Sequence, residues 1–390
     1  MKVVCDRAAL LEALNQVSGV VASRTPRQQL TCIKLTAETT DEGGTLTLAG
    51  TDAEIALRLV MPRVDVERAG EALIPADRLR QIVSAEDHEP TLTLDADNDQ
   101  CVISGSDATF KLLGYPPADF PPLPTMEAAL ASGTVKATFS FDVGGLRNLI
   151  SRTLFATARE TSRYAINGVL MNRSGKKLEF VATDGRRLAL AKANLAGGSK
   201  DAEPLRCIVP TKALQQLNKL GGPDDEPIQI AVGESQVLFA IGAEDTTDPG
   251  RALLSSNLVE GTFPPYEDVI PKDQDKTVVF DRDVLSSAVR RAALLTNEES
   301  RGVRLAFDGS DKKLTLSSRA PEMGEATVEV ELAEYAGDDV EIGFNPGFIT
   351  DALRVIDDPK VTLELKASSK PGVIRSQGDF TYVVMPVNLQ

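Results

Sequence analysis

Apolar and polar positions recur in the same order three times along the chain. Ile208 and Val209 lead into Pro210, and Leu214, Leu217 and Leu220 follow at helical spacing. An earlier copy runs Leu73, Ile74, Pro75, then Leu79, Ile82 and Val83; a later one runs Ile342, Phe344, Asn345, Pro346, then Ile349, Leu353 and Ile356. The pattern predicts a strand end and an amphipathic helix, with proline at the first helical position, where its missing N–H costs nothing. The three prolines lie about 135 residues apart, a domain-sized repeat. Each unit also opens alike, with a short strand, an aspartate to cap a helix, and an apolar helical stripe. The openings are residues 1–5 with Asp6, then Leu10, Leu14 and Val17; 139–142, then Leu146, Leu149 and Leu154; and 278–281, then Leu285, Val289 and Leu295.

Between these helices lie alternating segments bounded by turns, which read as strands: 44–50 and 55–60, 178–182 and 188–191, 313–317 and 326–332. Two further strands follow each proline-headed helix (91–94 with 100–104, 228–232 with 237–241, 361–365 with 372–376), and a last strand closes each unit at 110–113, 252–256 and 382–387. Proline-rich stretches near 114–130 and 257–275 read as linkers. The expected architecture is α+β, three repeated domains spanning 1–130, 131–272 and 273–390, each with two helices on antiparallel sheets.

Composition narrows the function. Only 5% of the 390 residues are aromatic and none is Trp, so the cores are aliphatic. No apolar run approaches a membrane span, and Asp6 and Glu12 interrupt the N-terminal apolar segment, which argues against a secretory signal. Cys5, Cys32, Cys101 and Cys207 are too scattered for a zinc site or a redox pair and fit a reduced, cytoplasmic protein. A single histidine, His88, nearly excludes histidine triads and multi-histidine metal sites. No Walker loop is present, since Gly175-Lys176 lacks the glycine spacing. Asp95, Asp97 and Asp99 imitate the start of a calcium loop, but Gln100 replaces the glycine and Ser106 the closing glutamate, so a hairpin is expected. No metal or cofactor is expected.

The net charge of −15 argues against general affinity for nucleic acid, but its distribution qualifies this. The helical segments 6–17, 76–84, 142–157, 211–220, 281–295 and 346–356 hold eleven basic and seven acidic residues; their +4 leaves −19 for the rest. Either the bases are ordinary solvated helix residues or they form a cationic layer on an acidic body, suited to diffuse phosphate attraction. A hydrolase with paired carboxylates, as in glycosidases, is the rival reading.

Several ordered motifs carry a resemblance. Ala182-Thr183-Asp184-Gly185-Arg186-Arg187-Leu188, Arg163-Tyr164-Ala165-Ile166-Asn167-Gly168, Asn297 to Arg304, the ending Tyr382-Val383-Val384-Met385-Pro386 and the early Gln16-Val17-Ser18-Gly19 are similar to the bacterial DNA sliding clamp family, the beta subunits of the DNA polymerase III holoenzyme. The resemblance covers essentially the whole chain. It implies a non-enzymatic processivity factor: a head-to-tail homodimeric ring, lined by helices, that encircles duplex DNA without reading sequence. The acidic exterior then discourages DNA from adhering outside.

The resemblance also implies sites. A pocket for short peptides of the replicative polymerase alpha subunit, the clamp loader, other polymerases and repair proteins is expected at Ile166, Thr183, Gly185, Arg186, Arg187, Leu188, Pro264, Val269, Val383, Met385, Pro386 and Val387. Aliphatic groups and an adaptable methionine suit a pocket with several partners. The chain departs from the family at Arg186, where histidine is common, at Glu267-Asp268, and in its tail from Val387 to Gln390, which bears on peptide preference at the rim. DNA contacts are expected at Arg24, Arg78, Arg80, Arg147, Arg152, Arg163, Tyr164, Lys212 and Arg290, and the dimer joint at Phe110, Leu294 and Leu295.

Overall fold

The three aspartates that open the repeats each cap a helix. In the computed structural model, which describes residues 1–40, 43–97, 99–158, 165–197, 202–296 and 302–388, Asp6 Oδ1 accepts from the Ala9 amide at 2.8 Å at the head of α1 (Arg7–Ser18). Asp142 Oδ1 accepts from the Gly145 amide at 2.6 Å at the head of α4 (Val143–Thr153). Asp281 Oδ1 takes the Asp283 and Val284 amides at 3.0 and 3.1 Å at the head of α6 (Arg282–Ala292). Each cap satisfies amides that the first helical turn leaves without a backbone partner.

The proline-headed helices are α2 (Ala76–Ala85), α5 (Thr211–Lys219) and α7 (Pro346–Arg354). Only Pro346 occupies the first helical position, after an Asn345 cap that accepts from the Gly347 amide at 2.9 Å. Pro75 and Pro210 stand one residue earlier, because each still pairs as the last residue of its strand, with Cys32 and Gly168 respectively. A further helix, α3 (Met126–Ala131), occupies a stretch whose composition suggested a linker. Thr125 caps it, and Met126 and Ala129 pack on Ala231, Leu238 and Leu253. Two buried positions in six residues are too few to register as periodicity. The other proline-rich tails are packed as well: Phe120 closes over Cys32 and Leu73, and Phe263 and Tyr266 are buried.

Two compact units emerge, and the middle repeat contributes to both. One unit holds Met1–Arg147 and Lys212–Leu258 as its main parts; the other holds Asn148–Leu195 and Val259–Gln390, with the strand Leu205–Pro210. The first contains a twelve-stranded sheet, within which Ile55–Arg68 of the first repeat pairs with Ala252–Asn257 of the second. The second contains a nine-stranded and a four-stranded sheet; in the larger, Arg187–Asn194 pairs with Phe380–Val384 of the third repeat. Strand pairings among the described residues are antiparallel. Within the first unit α1 packs on α2 and buries Leu10, Leu14 and Val17 completely; within the second α6 packs on α7 and buries Leu285 and Val289. Among the described residues no helix is long and apolar enough to cross a membrane.

Candidate functional site

The motif at 182–188 is a hairpin end, and its turn is built from short polar side chains. Strands Lys177–Thr183 and Arg187–Asn194 pair with Thr183 opposite Leu188. Asp184 Oδ1 accepts from the Arg186 and Arg187 amides at 2.9 and 3.1 Å, and Thr183 Oγ1 takes the Gly185 amide at 3.1 Å while donating to the Arg187 carbonyl at 2.7 Å. Gly185 sits at φ +84°, a conformation that glycine adopts without strain. The C-terminal motif lies alongside: Leu188 is in register with Val383, and the Met385 amide donates to the Arg186 carbonyl at 2.9 Å. Two motifs about 200 residues apart in sequence thus become neighbouring strands.

Beneath them Ile166, Leu188 and Val383 join Leu170, Phe263 and Tyr266 in one apolar cluster. Leu188 and Val383 are 2% and 1% exposed, so they form a floor, whereas Met385 at 40% forms an open apolar lip; Val269, 45% exposed, follows the turn Tyr266–Asp268. Pro264, Pro386 and Val387 are half-buried, Thr183 is buried, and Gly185 and Arg186 are exposed. Arg187 points inward: it donates to Asp184 Oδ2 at 3.0 Å and to Asp351 Oδ2 at 2.8 Å, so of the two arginines expected in the pocket only Arg186 is exposed. Tyr266 donates to Glu179 Oε2 at 3.2 Å, and burial, reinforced by that carboxylate, pushes its phenol well above the ordinary range.

Beside the lip a cleft of about 530 Å³ is lined by Met385, Pro386 and Val387 together with Arg304, Glu341 and Ser368. The last three were not singled out from the sequence. Arg304 lies within the 297–304 motif but carried no assigned role there, and Ser368 lies in a hairpin turn that gave no signal.

Among the described residues, the bases expected to face DNA divide into three groups. Arg24, Arg78 and Arg290 are exposed, Arg80 is half-buried, and none of the four makes an ion pair among the described residues. Lys212 is tied to Asp52, and Arg147 to Asp224 at 2.7 Å and the Gly222 carbonyl at 3.3 Å. Burial opposes ionisation of Asp52, but Lys212 and the Ile55 and Glu54 amides outweigh it and hold the carboxyl below its usual range. Arg152, expected on the same cationic layer, is buried instead. It is 8% exposed, donates to Asp379 at 3.1 Å and lies 5.9 Å from the Phe380 ring centroid. Helical spacing identifies the face only where the stripe is regular, and Arg152 falls at the helix end, against the start of the strand Phe380–Val384. Arg163 and Tyr164 lie outside the described residues, as do Asn297 to Arg301 and the last two residues of the tail. On α1, Arg7, Leu11, Asn15 and Gln16 form, with Lys219, an open groove of about 440 Å³.

Of the residues expected at the joint, Phe110 lies on an end strand, and Leu294 and Leu295 lie in the short turn Ala293–Leu295 after α6. Phe110 is half-buried on Thr109–Leu113, the end strand of its sheet, whose Leu113 is 74% exposed. Leu294 is 71% exposed and Leu295 half-buried, close to Met323 and the edge strand Gly324–Glu331. Asp95 pairs with Arg68 at 2.7 Å, and Asp97 faces Gln100 across a hairpin, as the broken calcium pattern predicts. Glu86, Glu89 and Asp107 bring carboxylates together, but Glu89 is already engaged by the Ser106 amide at 3.0 Å.

Comparison with known proteins agrees along the entire chain. Family models for the N-terminal, central and C-terminal domains of the DNA polymerase III beta subunit match residues 1–124, 141–265 and 267–388. The beta sliding clamp of Pseudomonas aeruginosa is 35% identical over 393 residues, and that of Escherichia coli 31% over 391, each covering 100% of both chains. Among solved structures, the P. aeruginosa DNA polymerase III subunit beta superposes with a TM-score of 0.85 at 32% identity, and the same clamp bound to griselimycin with 0.86 at 32%, again over 100% of both chains. With three clamp domains matched in order and full-length relatives above 30% identity, the chain belongs to the DNA polymerase III beta subunit family, the bacterial beta sliding clamps.

Proposed function

We propose that the chain works as a homodimeric ring around duplex DNA, a non-catalytic processivity factor that holds the replicative polymerase alpha subunit at its template. The observation that carries this is the full-length match of three clamp domains in order. The repeats run 1–130, 131–272 and 273–390 in this reading. Partner peptides seat their apolar side chains on Met385 and Val269, above Leu188 and Val383. The same pocket serves the clamp loader, other polymerases and repair proteins in turn, which suits a methionine-lined surface. Griselimycin, bound in the P. aeruginosa structure, is the probe we assign to it. Duplex contact falls to Arg24, Arg78, Arg80 and Arg290, with Lys212 and Arg147 available once their surface ion pairs exchange for phosphates, since such pairs are worth about 0–1 kcal/mol. Phe110 with Leu113 on an end strand and Leu294 with Leu295 after α6 supply the joint. The compartment is the cytoplasm.

Retention on DNA circles tests encirclement. Loaded on nicked circles the protein is expected to stay through gel filtration at raised salt, and to run off once the circles are linearised. Equal loss from both forms overturns the proposal.

A further inference from the structure

Arg187 is engaged at every nitrogen of its guanidinium. Nε donates to Asp184 Oδ2 at 3.0 Å, one terminal nitrogen to Asp351 Oδ2 at 2.8 Å and the other to the Phe155 carbonyl at 2.8 Å. Its Cζ lies over two phenyl rings, 5.4 Å from the Phe155 centroid and 4.5 Å from that of Phe348, and its side chain is 10% exposed. The partners come from three elements: the 184–186 turn, the short turn Leu154–Ala156 after α4, and α7. Arg187 also begins the strand whose next residue, Leu188, is the pocket floor, and the residue before it holds the Met385 amide.

We propose that Arg187 is a positioning residue for partner binding, fixing the 184–186 turn against α7 so that Leu188 and Met385 stand at the spacing a partner needs, without itself touching the partner. The proposal rests on the reading of this pocket as the partner site. Arginine is required because a planar fork can bridge two carboxylates and a carbonyl while lying over aromatic rings; a lysine ammonium is a point charge that reaches one of them and stacks poorly. Asp184 closes the unit, using one carboxylate oxygen for the turn amides and the other for Arg187.

The test measures griselimycin affinity and dissociation rate on the full chain for Met385→Ala, Arg187→Lys, Asp351→Asn and the Arg187→Lys/Asp351→Asn double variant, below the unfolding midpoint of each. Met385→Ala reports on the pocket itself and is expected to weaken binding. Arg187→Lys and Asp351→Asn are each expected to weaken it about tenfold through faster dissociation, and the double variant no more than the worse single one, because both break the same unit. Asp351→Asn keeps the side-chain shape and carries the test should Arg187→Lys fail to fold. If Met385→Ala weakens binding while Asp351→Asn leaves it at wild type, Arg187 acts by direct contact or not at all and the positioning role is overturned. Additive losses in the double variant overturn it too. An unchanged Met385→Ala rejects the pocket reading itself.

Discussion

Leu294→Asp separates assembly from folding. In the single chain Leu294 is 71% exposed, so its replacement costs the isolated subunit little, within about 0.5 kcal/mol for a surface site. In the proposed joint it becomes buried. Full burial of a leucine contributes about 1.5–3 kcal/mol, and scaling by the exposed fraction leaves about 1–2 kcal/mol per joint. A head-to-tail ring has two identical joints, so the dimer loses about 2–4 kcal/mol, before the added cost of desolvating a carboxylate. At 1.4 kcal/mol per decade, the dimer dissociation constant rises about 30-fold to several hundred-fold. Sedimentation velocity across a concentration series reads this shift directly, and urea unfolding of the same samples checks the fold. Leu113→Asp on the end strand, at 74% exposure, is expected to behave alike. A dissociation constant within twofold of wild type for both variants would refute the joint. A collapse in unfolding free energy would instead show that Leu294 packs within its own subunit.

The pocket predicts a contrast: Leu188→Ala, at a position 2% exposed, is expected to lower unfolding stability by about 2–5 kcal/mol, whereas Met385→Ala, at 40% exposure, lowers griselimycin affinity with little change in urea midpoint. Equal stability losses would remove the distinction between floor and lip. Arg152→Met is expected to cost about 1–3 kcal/mol in denaturant unfolding and to leave retention on nicked circles unchanged, since its guanidinium is turned toward Asp379 and Phe380; salt-sensitive loss of retention would restore it to the DNA face. Burial raises the thiols of Cys5 and Cys101 to about 12 and of Cys32 to about 11. Burial raises the Cys207 thiol to about 12 as well, although it is partly exposed on an end strand, so alkylation at pH 8 is expected to spare all four in the folded chain. Because these folded-state values lie above the unfolded ones, the associated stability is complete below about pH 8.5 and declines as pH rises through 11–12. Rapid labelling of any of the four in the folded chain would contradict the burial argument.

The sequence by itself determined the repeat, the helix caps, most of the strands and the family, because these depend on short-range order, but it left unread one strand of each repeat: Cys32–Thr40, Gly168–Ser174 and Val303–Asp308. Asp6, Asp142 and Asp281 cap the helices that follow within a turn, and alternation in segments such as 237–241 and 361–365 specifies a strand locally. It did not reveal α3, whose two buried residues are too few for a periodic signal, nor the packing of Phe120 and Tyr266 in stretches that read as linkers. The candidate site was legible only through motif resemblance, since no local property of Thr183 or Val383 announces that Leu188 and Val383 stand in register. Tertiary structure alone decided which arginines are free. Arg152 and Arg290 carry the same charge in the last turn of a helix, yet the first meets a carboxylate and a ring brought from far along the chain, as Arg187 does at its strand start, and Arg290 meets solvent. A charge's role is fixed by what surrounds it in three dimensions, and long-range strand pairing sets those surroundings.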